Sequence, residues 1–269
     1  MLTLVLPRLV SFEGSARRST SMVERNVATL RSAYWLVMAS GFLEPVLYLF
    51  SIGVGVGALV GDLTLPDGRV IDYAAFVAPA MLASSAMTGA LSETTFNFFG
   101  KMKFMKLYDG ILATPVRPIE IAAGELAWAM IRGNIYAAAF LVIMVVMDLT
   151  TPGRALGAFG AAILVGFAFG GVGMALSTFM RSWQDFDLMS SAQFALFLFS
   201  GTFVPAQAYP AVLRWVVEVT PLYRSVDLIR AVTTGSVGWI QLVDVVYLLA
   251  LLALGLAVAG RRMEKLLCK

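Results

Sequence analysis

Three ionisable side chains lie inside long, mostly apolar stretches, where a charge needs a partner or water. They are Glu44, Glu93 and Arg132. An unpaired charge at the centre of a bilayer costs at least about 2.5 kcal/mol on insertion scales. Glu93 and Arg132 fall ~10 and ~12 Å from the same side of the membrane, at ~1.5 Å per residue. This predicts an ion pair, either as part of a transport mechanism or simply as a link between helices. Glu44 lies deeper, and is predicted either to be protonated or to face a polar cavity.

Other reactive side chains give little support for catalysis. The chain has no histidine and a single cysteine, Cys268, so zinc clusters and intrachain disulfides are not expected. No phosphate-binding loop of the GxxxxGK[ST] type occurs, and we expect neither ATP hydrolysis nor a cofactor in this chain. The glycine run of Gly53, Gly55 and Gly57, like the glycines near Gly171, predicts close helix packing instead. A serine–lysine catalytic dyad is poorly supported, because no lysine is expected at the depth of the serines Ser84, Ser85, Ser190 and Ser191.

The composition places these residues in a membrane. Of the 269 residues 59% are hydrophobic and 14% charged, and the mean hydropathy is +0.82. A span needs about 20 apolar residues. Six windows qualify or nearly do, and we predict an all-α membrane protein with six transmembrane helices at 34–60, 73–99, 125–147, 156–180, 188–204 and 242–259.

The basic residues predict the orientation of these spans. Fourteen of the twenty Lys and Arg residues fall in loops on the N-terminal side, five fall on the opposite side, and Arg132 lies within a span. Cytoplasmic loops carry the excess of positive charge in membrane proteins. Both termini are therefore expected in the cytoplasm of a bacterial cell, with the chain in its inner membrane.

Segments outside the spans complete the expected organisation. Residues 1–33 are expected to form a cytoplasmic N-terminus with an amphipathic interface helix at 21–34, residues 34–262 the six-span transmembrane domain, and residues 263–269 a cytoplasmic tail. Two short helices, 209–219 and 222–233, are predicted on the outer side with their arginines towards water. They form either a surface hairpin or a re-entrant pair.

The cytoplasmic loop at 100–124 predicts a contact with another protein. Residues 101–113 can form a helix that ends by Thr114-Pro115, because a residue before proline avoids the helical conformation. The helix would expose basic and apolar side chains together, which suits a docking surface, although a solvated loop remains the alternative. The residues proposed for contact are Lys103, Lys106, Leu107, Tyr108, Asp109, Thr114 and Pro115.

These features together resemble the type-2 ABC transporter permeases, and in particular the branch of nodulation-factor exporters with its drug-exporter relatives. The resemblance covers nearly the whole chain and depends on the order and spacing of its motifs. It departs from the family at Leu222, where threonine often follows the proline. The motifs are Glu44-Pro45, Tyr48-Leu49 with the glycine run, residues 76–81 (FVAPAM), Glu93, Tyr108-Asp109, residues 113–116 (ATPV), Gly124-Glu125, Pro221-Leu222-Tyr223 and Leu228-Ile229-Arg230.

The resemblance implies six spans per subunit, two permease subunits per transporter, and separate ATPase subunits that bind ATP and magnesium. It also implies that residues 101–114 form a coupling helix seated in the ATPase, that 21–34 form the interface helix, and that 209–233 form an outer re-entrant pair. Its members carry polysaccharides, lipids and drugs, so it does not identify the cargo.

Aromatic residues in spans one, two and five are candidates for the transport pathway, because aromatic walls suit amphipathic cargo. We name Phe42, Phe50, Phe96 and Phe197, although packing in the core or against lipid is the alternative for each. The sequence thus favours an exporter permease for a lipid, a lipid-linked glycan or a hydrophobic drug. A stand-alone membrane enzyme or scaffold that acts on lipids is the competing interpretation.

Overall fold

The structure is a computed structural model that describes Glu24, Leu43 and residues 46–64, 68–114, 116 and 118–267. The predicted interface helix, apart from Glu24, lies outside the described residues. So do Phe42, Glu44, Pro115 and Cys268, and only the backbone of Asp109 is described.

Helices make up most of the described chain. In chain order, α1 is Val46–Val60, α2 is Tyr73–Phe104, α3 is Leu107–Leu112, α4 is Pro118–Val146 and α5 is Pro152–Ser177. They are followed by α6 (Asp185–Leu198), α7 (Ala211–Val219), α8 (Pro221–Thr234) and α9 (Trp239–Leu267). A short antiparallel hairpin, β1 (Asp62–Thr64) and β2 (Val70–Asp72), precedes α2 and was not predicted.

Within the described residues, four helices are long and apolar enough to cross a membrane. They are α2, α4, α5 and α9, with candidate spans of 25 to 32 residues. At about 1.5 Å per residue each exceeds the ~30 Å hydrocarbon thickness. They correspond to predicted spans two, three, four and six, and the chain is therefore an integral membrane protein.

The prediction for span five is wrong in its extent. The window 188–204 was expected to be one helix, but α6 ends at Leu198 and has 14 residues. The chain then turns through Gly201, whose φ of +68° is unfavourable for any residue with a side chain. Ser200 strengthens the turn, because its hydroxyl bonds to the Phe197 carbonyl at 2.8 Å and to Thr202 at 2.5 Å. Apolar composition alone did not reveal this helix end.

The chain breaks between α7 and α8 at Thr220-Pro221, where the sequence predicted a break. Thr220 caps α8 by accepting a hydrogen bond from the Tyr223 amide at 3.3 Å, and Pro221 occupies the first helical position. α8 then packs into the bundle with Leu222, Val226 and Ile229 fully buried. α7 instead exposes apolar side chains, including Val212 and Trp215.

The expected orientation of the arginines on α8 is wrong. Arg230 turns inward, donates to the carbonyls of Phe76 at 3.2 Å and Gly201 at 3.0 Å, and stacks on the Phe76 ring. Arg224 donates to Asp244 of α9, which is fully buried, at 3.1 Å. Both guanidinium groups are partly buried and therefore need hydrogen-bond acceptors. By supplying these acceptors, α2 and α9 are joined to α8.

Glycines allow α5 to approach α9 and α2, as the small-residue pattern predicted for this span. A Cβ at Gly255 of α9 would lie 2.5 Å from the Gly171 carbonyl carbon, and one at Gly173 would lie 2.1 Å from the Thr94 hydroxyl. The close packing predicted for the glycine run of α1 is not found at Gly55 or Gly57. A Cβ at Gly55 would meet nothing within 4 Å, and one at Gly57 would make only an ordinary contact with Tyr73.

Candidate functional site

Helices α1, α2, α4 and α6 line a half-open cavity of about 490 Å³. This volume lies within the ~300 to 1,000 Å³ range of small-molecule sites. Its lining is amphipathic. Aromatic side chains are contributed by Tyr48, Tyr136, Phe194 and Phe197, and polar side chains by Ser84, Ser85, Thr88, Ser92, Glu93, Arg132, Ser190 and Gln193.

The predicted ion pair between Glu93 and Arg132 is confirmed, and it forms part of the cavity wall. Nη1 of Arg132 donates to Oε1 of Glu93, and the side chains are 15% and 12% exposed. Nη2 of Arg132 lies 3.4 Å from the hydroxyl of Tyr136, one turn further along α4. The pair links α2 to α4 across the cavity and neutralises both charges.

A local change in helical pitch accompanies Glu93 on α2. Residues Glu93–Asn97 form a π-helical turn, a feature that often occurs at functional sites. The hydroxyls of Thr94 and Thr95 bond back to the carbonyls of Ala90 at 2.7 Å and Leu91 at 2.5 Å, which favours such a distortion. Gly173 leaves room for the widened turn. The site thus depends on α5, although α5 is not part of the cavity wall.

Three side chains that line the cavity each have one buried polar atom without a hydrogen-bond partner among the described residues. They are Oγ of Ser84, Nε of Arg132 and Nε2 of Gln193. Ser84 is 8% exposed. Buried polar atoms are normally paired, since an unmade bond costs about 1 to 3 kcal/mol.

The predicted pathway residues divide into separate groups. Phe197 lines the cavity, with its ring 6.3 Å from Tyr48 and 5.3 Å from Phe203. Phe96 packs instead against Trp183 and Phe186, at 4.8 and 5.4 Å, and Phe50 is 52% exposed and outside the cavity. Neither Tyr48, Gln193 nor the polar face of α2 was predicted to line a transport pathway. The spacing of Ser85, Thr88 and Ser92, at i, i+3 and i+7, could have revealed that face.

The C-terminal end of α2 and the residues after it do not form the single helix that was predicted at 101–113. The first part, Gly100–Phe104, continues α2 as a π-helical turn. Lys106 then adopts a left-handed conformation with φ of +46°, and the chain restarts as α3. α3 is followed by Thr114, whose hydroxyl donates to the Ile111 carbonyl at 2.6 Å. The prediction missed this break because the sequence at Met105-Lys106 contains neither glycine nor proline.

The break also changes which side chains of this segment can dock a partner. Tyr108 was expected to be exposed, but it is fully buried and its ring lies 5.2 Å from that of Phe98. Leu107 is half-buried. Met105 is instead 74% exposed and Phe104 60% exposed, between the exposed lysines Lys103 and Lys106. We call residues 103–106 the α2–α3 turn. It has the mixed basic and apolar surface that was predicted for the longer helix.

Contacts with two neighbouring segments fix the end of α2 and the α2–α3 turn that follows it. Nζ of Lys101 forms an ion pair with Glu125 of α4 at 2.6 Å, and the Glu125 side chain is 6% exposed. The Phe104 ring stacks on Trp183 at 5.0 Å, just before α6. Movement of this turn would therefore be passed to α2, α4 and α6, which all line the cavity.

Comparison with known proteins agrees with this architecture. Residues 19–234 match the family described as ABC-2 type transporter. Nodulation protein J of Rhizobium leguminosarum bv. trifolii is 29% identical over 228 residues, which cover 84% of this chain and 85% of that protein. Nodulation protein J of Rhizobium meliloti (strain 1021) is 30% identical over 213 residues, or 79% of each chain. The family match includes the whole described cavity lining and the α2–α3 turn, and the chain belongs to the ABC-2 type transporter family.

Proposed function

We propose that this chain is the permease subunit of an ATP-driven exporter, and that it moves an amphipathic lipid, a lipid-linked glycan or a hydrophobic drug out of the cytoplasm or the inner leaflet. Family membership supports a membrane component of an ABC exporter that works with an ABC ATPase. We infer the cargo class from the cavity, because its wall combines hydroxyl and amide groups with aromatic rings. Such a wall suits molecules that have a polar and an apolar part.

The mechanism follows from the continuity of α2. Its cavity-lining part runs from Met81 to Glu93, and the same helix reaches the α2–α3 turn. From Met81 to its end at Phe104, α2 extends about 35 Å at ~1.5 Å per residue. An ATPase seated on the turn would move this helix as a rigid rod and change the shape of the cavity. ATP and magnesium are expected to bind to the partner ATPase, and a second permease subunit is expected to complete the transporter.

Reconstitution tests this function directly. The permease is co-expressed with its candidate ATPase, purified by a tag on the permease alone, and placed in liposomes with a fluorescent amphipathic probe. We expect a stable complex, and probe efflux at least tenfold faster with ATP than with a non-hydrolysable analogue. A permease that purifies alone and modifies lipids without any ATPase would contradict the proposal and favour the membrane-enzyme alternative.

We further propose six crossings with both termini in the cytoplasm, which puts α7 and α8 on the outer side. Cysteine labelling in a Cys268→Ser background tests this arrangement at four exposed positions. An impermeant thiol reagent added to intact cells should label Asp62→Cys and Val237→Cys. It should label Lys103→Cys and Arg181→Cys only after the membrane is opened. The reverse pattern would contradict the proposed topology.

A further inference from the structure

Asp244 of α9 is a buried acid that takes no part in the cavity wall. Its side chain is fully buried and lies near the start of a candidate span. Its Oδ1 accepts a hydrogen bond from Nη1 of Arg224 at 3.1 Å, whereas its Oδ2 is buried and has no partner among the described residues. A buried carboxylate oxygen needs a donor, because it has lost its hydration. The site around Asp244 therefore lacks one donor.

A second carboxyl group lies beside Asp244. The side chain of Asp227, on α8, is within hydrogen-bonding distance of the Asp244 carboxyl group, and its Oδ2 accepts from Nε2 of Gln241 at 2.9 Å. Two ionised carboxylates in contact repel each other, and neither of them can donate a hydrogen bond. One proton between them removes the repulsion and supplies the missing donor. Asp227 is only half-buried, so this proton can exchange with water.

The neighbouring arginines do not replace the proton. Arg224 is bonded to Asp244, but Arg230 is directed away from the two acids and donates to the backbone carbonyls of Phe76 at 3.2 Å and Gly201 at 3.0 Å. With both acids ionised, their contact would place two negative charges against one bonded guanidinium group. A carboxyl pair in such surroundings binds a proton more readily than either acid would alone.

The other titratable groups near the pair keep their charge at moderate pH. Burial raises the pKa of Tyr223 to about 12 and lowers the pKa of Arg230 to about 10, so neither group changes its protonation between about pH 6 and 8.5. The remaining ionisable side chains on the helices around the pair have contacts of their own. Tyr247 donates to the Val219 carbonyl at 3.0 Å, Glu218 pairs with Arg214, and Arg154 lies beside Gly235.

We propose that Asp227 and Asp244 bind one shared proton and thereby form a proton-dependent link between α8 and α9. While the proton is bound, the two carboxyl groups are joined by a hydrogen bond and α8 is held on α9. When the pH rises, the proton leaves to water and the two carboxylates repel each other. The packing of α8 is therefore firmest at low pH and weakens as the pH increases.

This link would affect more than the two helices that form it. Arg230 lies on the same helix as Asp227 and holds both α2 and the turn that follows α6. A loosened α8 would therefore loosen these contacts as well. The inference goes beyond the proposed exporter function, since proton binding by this pair requires neither an ATPase nor a cargo.

Infrared spectroscopy on the full-length protein in nanodiscs detects the proton directly, because a protonated carboxyl group has a C=O stretch that a carboxylate lacks. At about pH 6 ordinary Asp and Glu side chains are ionised. We expect a carboxylic acid band at that pH, its loss at about pH 8.5, and its loss at both pH values in Asp227→Asn and in Asp244→Asn. In each variant the new amide donates to the remaining carboxylate, which then needs no proton. A band that neither substitution changes would overturn the inference.

Thermal denaturation of the same variants tests the effect on packing. The midpoint of the unaltered protein should fall by at least about 3 °C between about pH 6 and 8.5, as expected from the loss of one favourable contact in a protein of this size. Asp227→Asn and Asp244→Asn should lack this fall, because an amide is a permanent donor. Asp187→Asn is the matched control, since Asp187 is exposed on α6 and its removal should leave the fall unchanged.

The inference is wrong if Asp227→Asn and Asp244→Asn show the same pH dependence as Asp187→Asn. Neither measurement involves efflux. Failure of the exporter function would therefore leave the proton-dependent link standing, and failure of the link would leave the exporter function intact.

Discussion

Arg132→Glu is expected to abolish ATP-driven efflux and to reduce strongly the amount of folded permease recovered from membranes. The substitution places a second carboxylate beside Glu93, where both side chains are largely buried. Breaking a buried ion pair typically costs about 3 to 5 kcal/mol, because the remaining charge stays buried without its partner. Such a loss is a large fraction of the stability of a typical domain. The recovery of monodisperse protein and its thermal denaturation midpoint measure this effect.

The double variant Glu93→Arg, Arg132→Glu should recover part of the lost efflux and stability, since it recreates the ion pair with its charges exchanged. We expect a coupling energy on the order of 1 to 3 kcal/mol in the double-mutant cycle. Arg214→Glu is the control, because it disrupts an exposed pair with Glu218 on α7 whose contribution should be below about 1 kcal/mol. If the stability losses of the two single variants simply add in the double variant, the contact between Glu93 and Arg132 contributes no coupling energy.

Met105→Asp should weaken binding of the ATPase at least tenfold and reduce efflux in proportion. Met105 is 74% exposed at the α2–α3 turn, so an aspartate there does not disturb internal packing. A charge transferred into a dry protein contact costs on the order of 2 to 4 kcal/mol, and every ~1.4 kcal/mol changes affinity tenfold. Pull-down of the ATPase by the tagged permease, together with efflux, measures the result.

Two controls show whether Met105 acts through docking. Met105→Leu keeps an apolar side chain and should retain binding, whereas Val237→Asp adds the same charge at an exposed position on the proposed outer side. Both should behave like the unaltered protein. If Met105→Asp binds the ATPase normally, the α2–α3 turn does not dock the ATPase. Its lysines would then serve only to set the orientation of the protein in the membrane. Tyr108→Asp is unsuitable for this test, because Tyr108 is fully buried against Phe98 and its replacement would damage the fold.

The sequence alone determined the membrane character of this protein and the pairing of Glu93 with Arg132. Hydrophobic content and window length predicted four spans that the structure describes as long helices, because a bilayer imposes a minimum apolar length. Glu93 and Arg132 could be paired in advance because an isolated charge in that environment is too costly. The break at Thr220-Pro221 was predicted because proline restricts the preceding residue, and the order of motifs indicated the family.

Only the tertiary structure decided which side chains face each other. Ser84, Arg132 and Gln193 are distant in the sequence, and they line one cavity because α2, α4 and α6 pack around one space. The burial of Tyr108 and the exposure of Met105 follow from the left-handed residue Lys106, which redirects the chain without any glycine or proline as a signal. Local propensities set where a helix forms. The neighbours that a side chain faces depend on how whole helices pack together. The sequence of a single helix does not specify that packing.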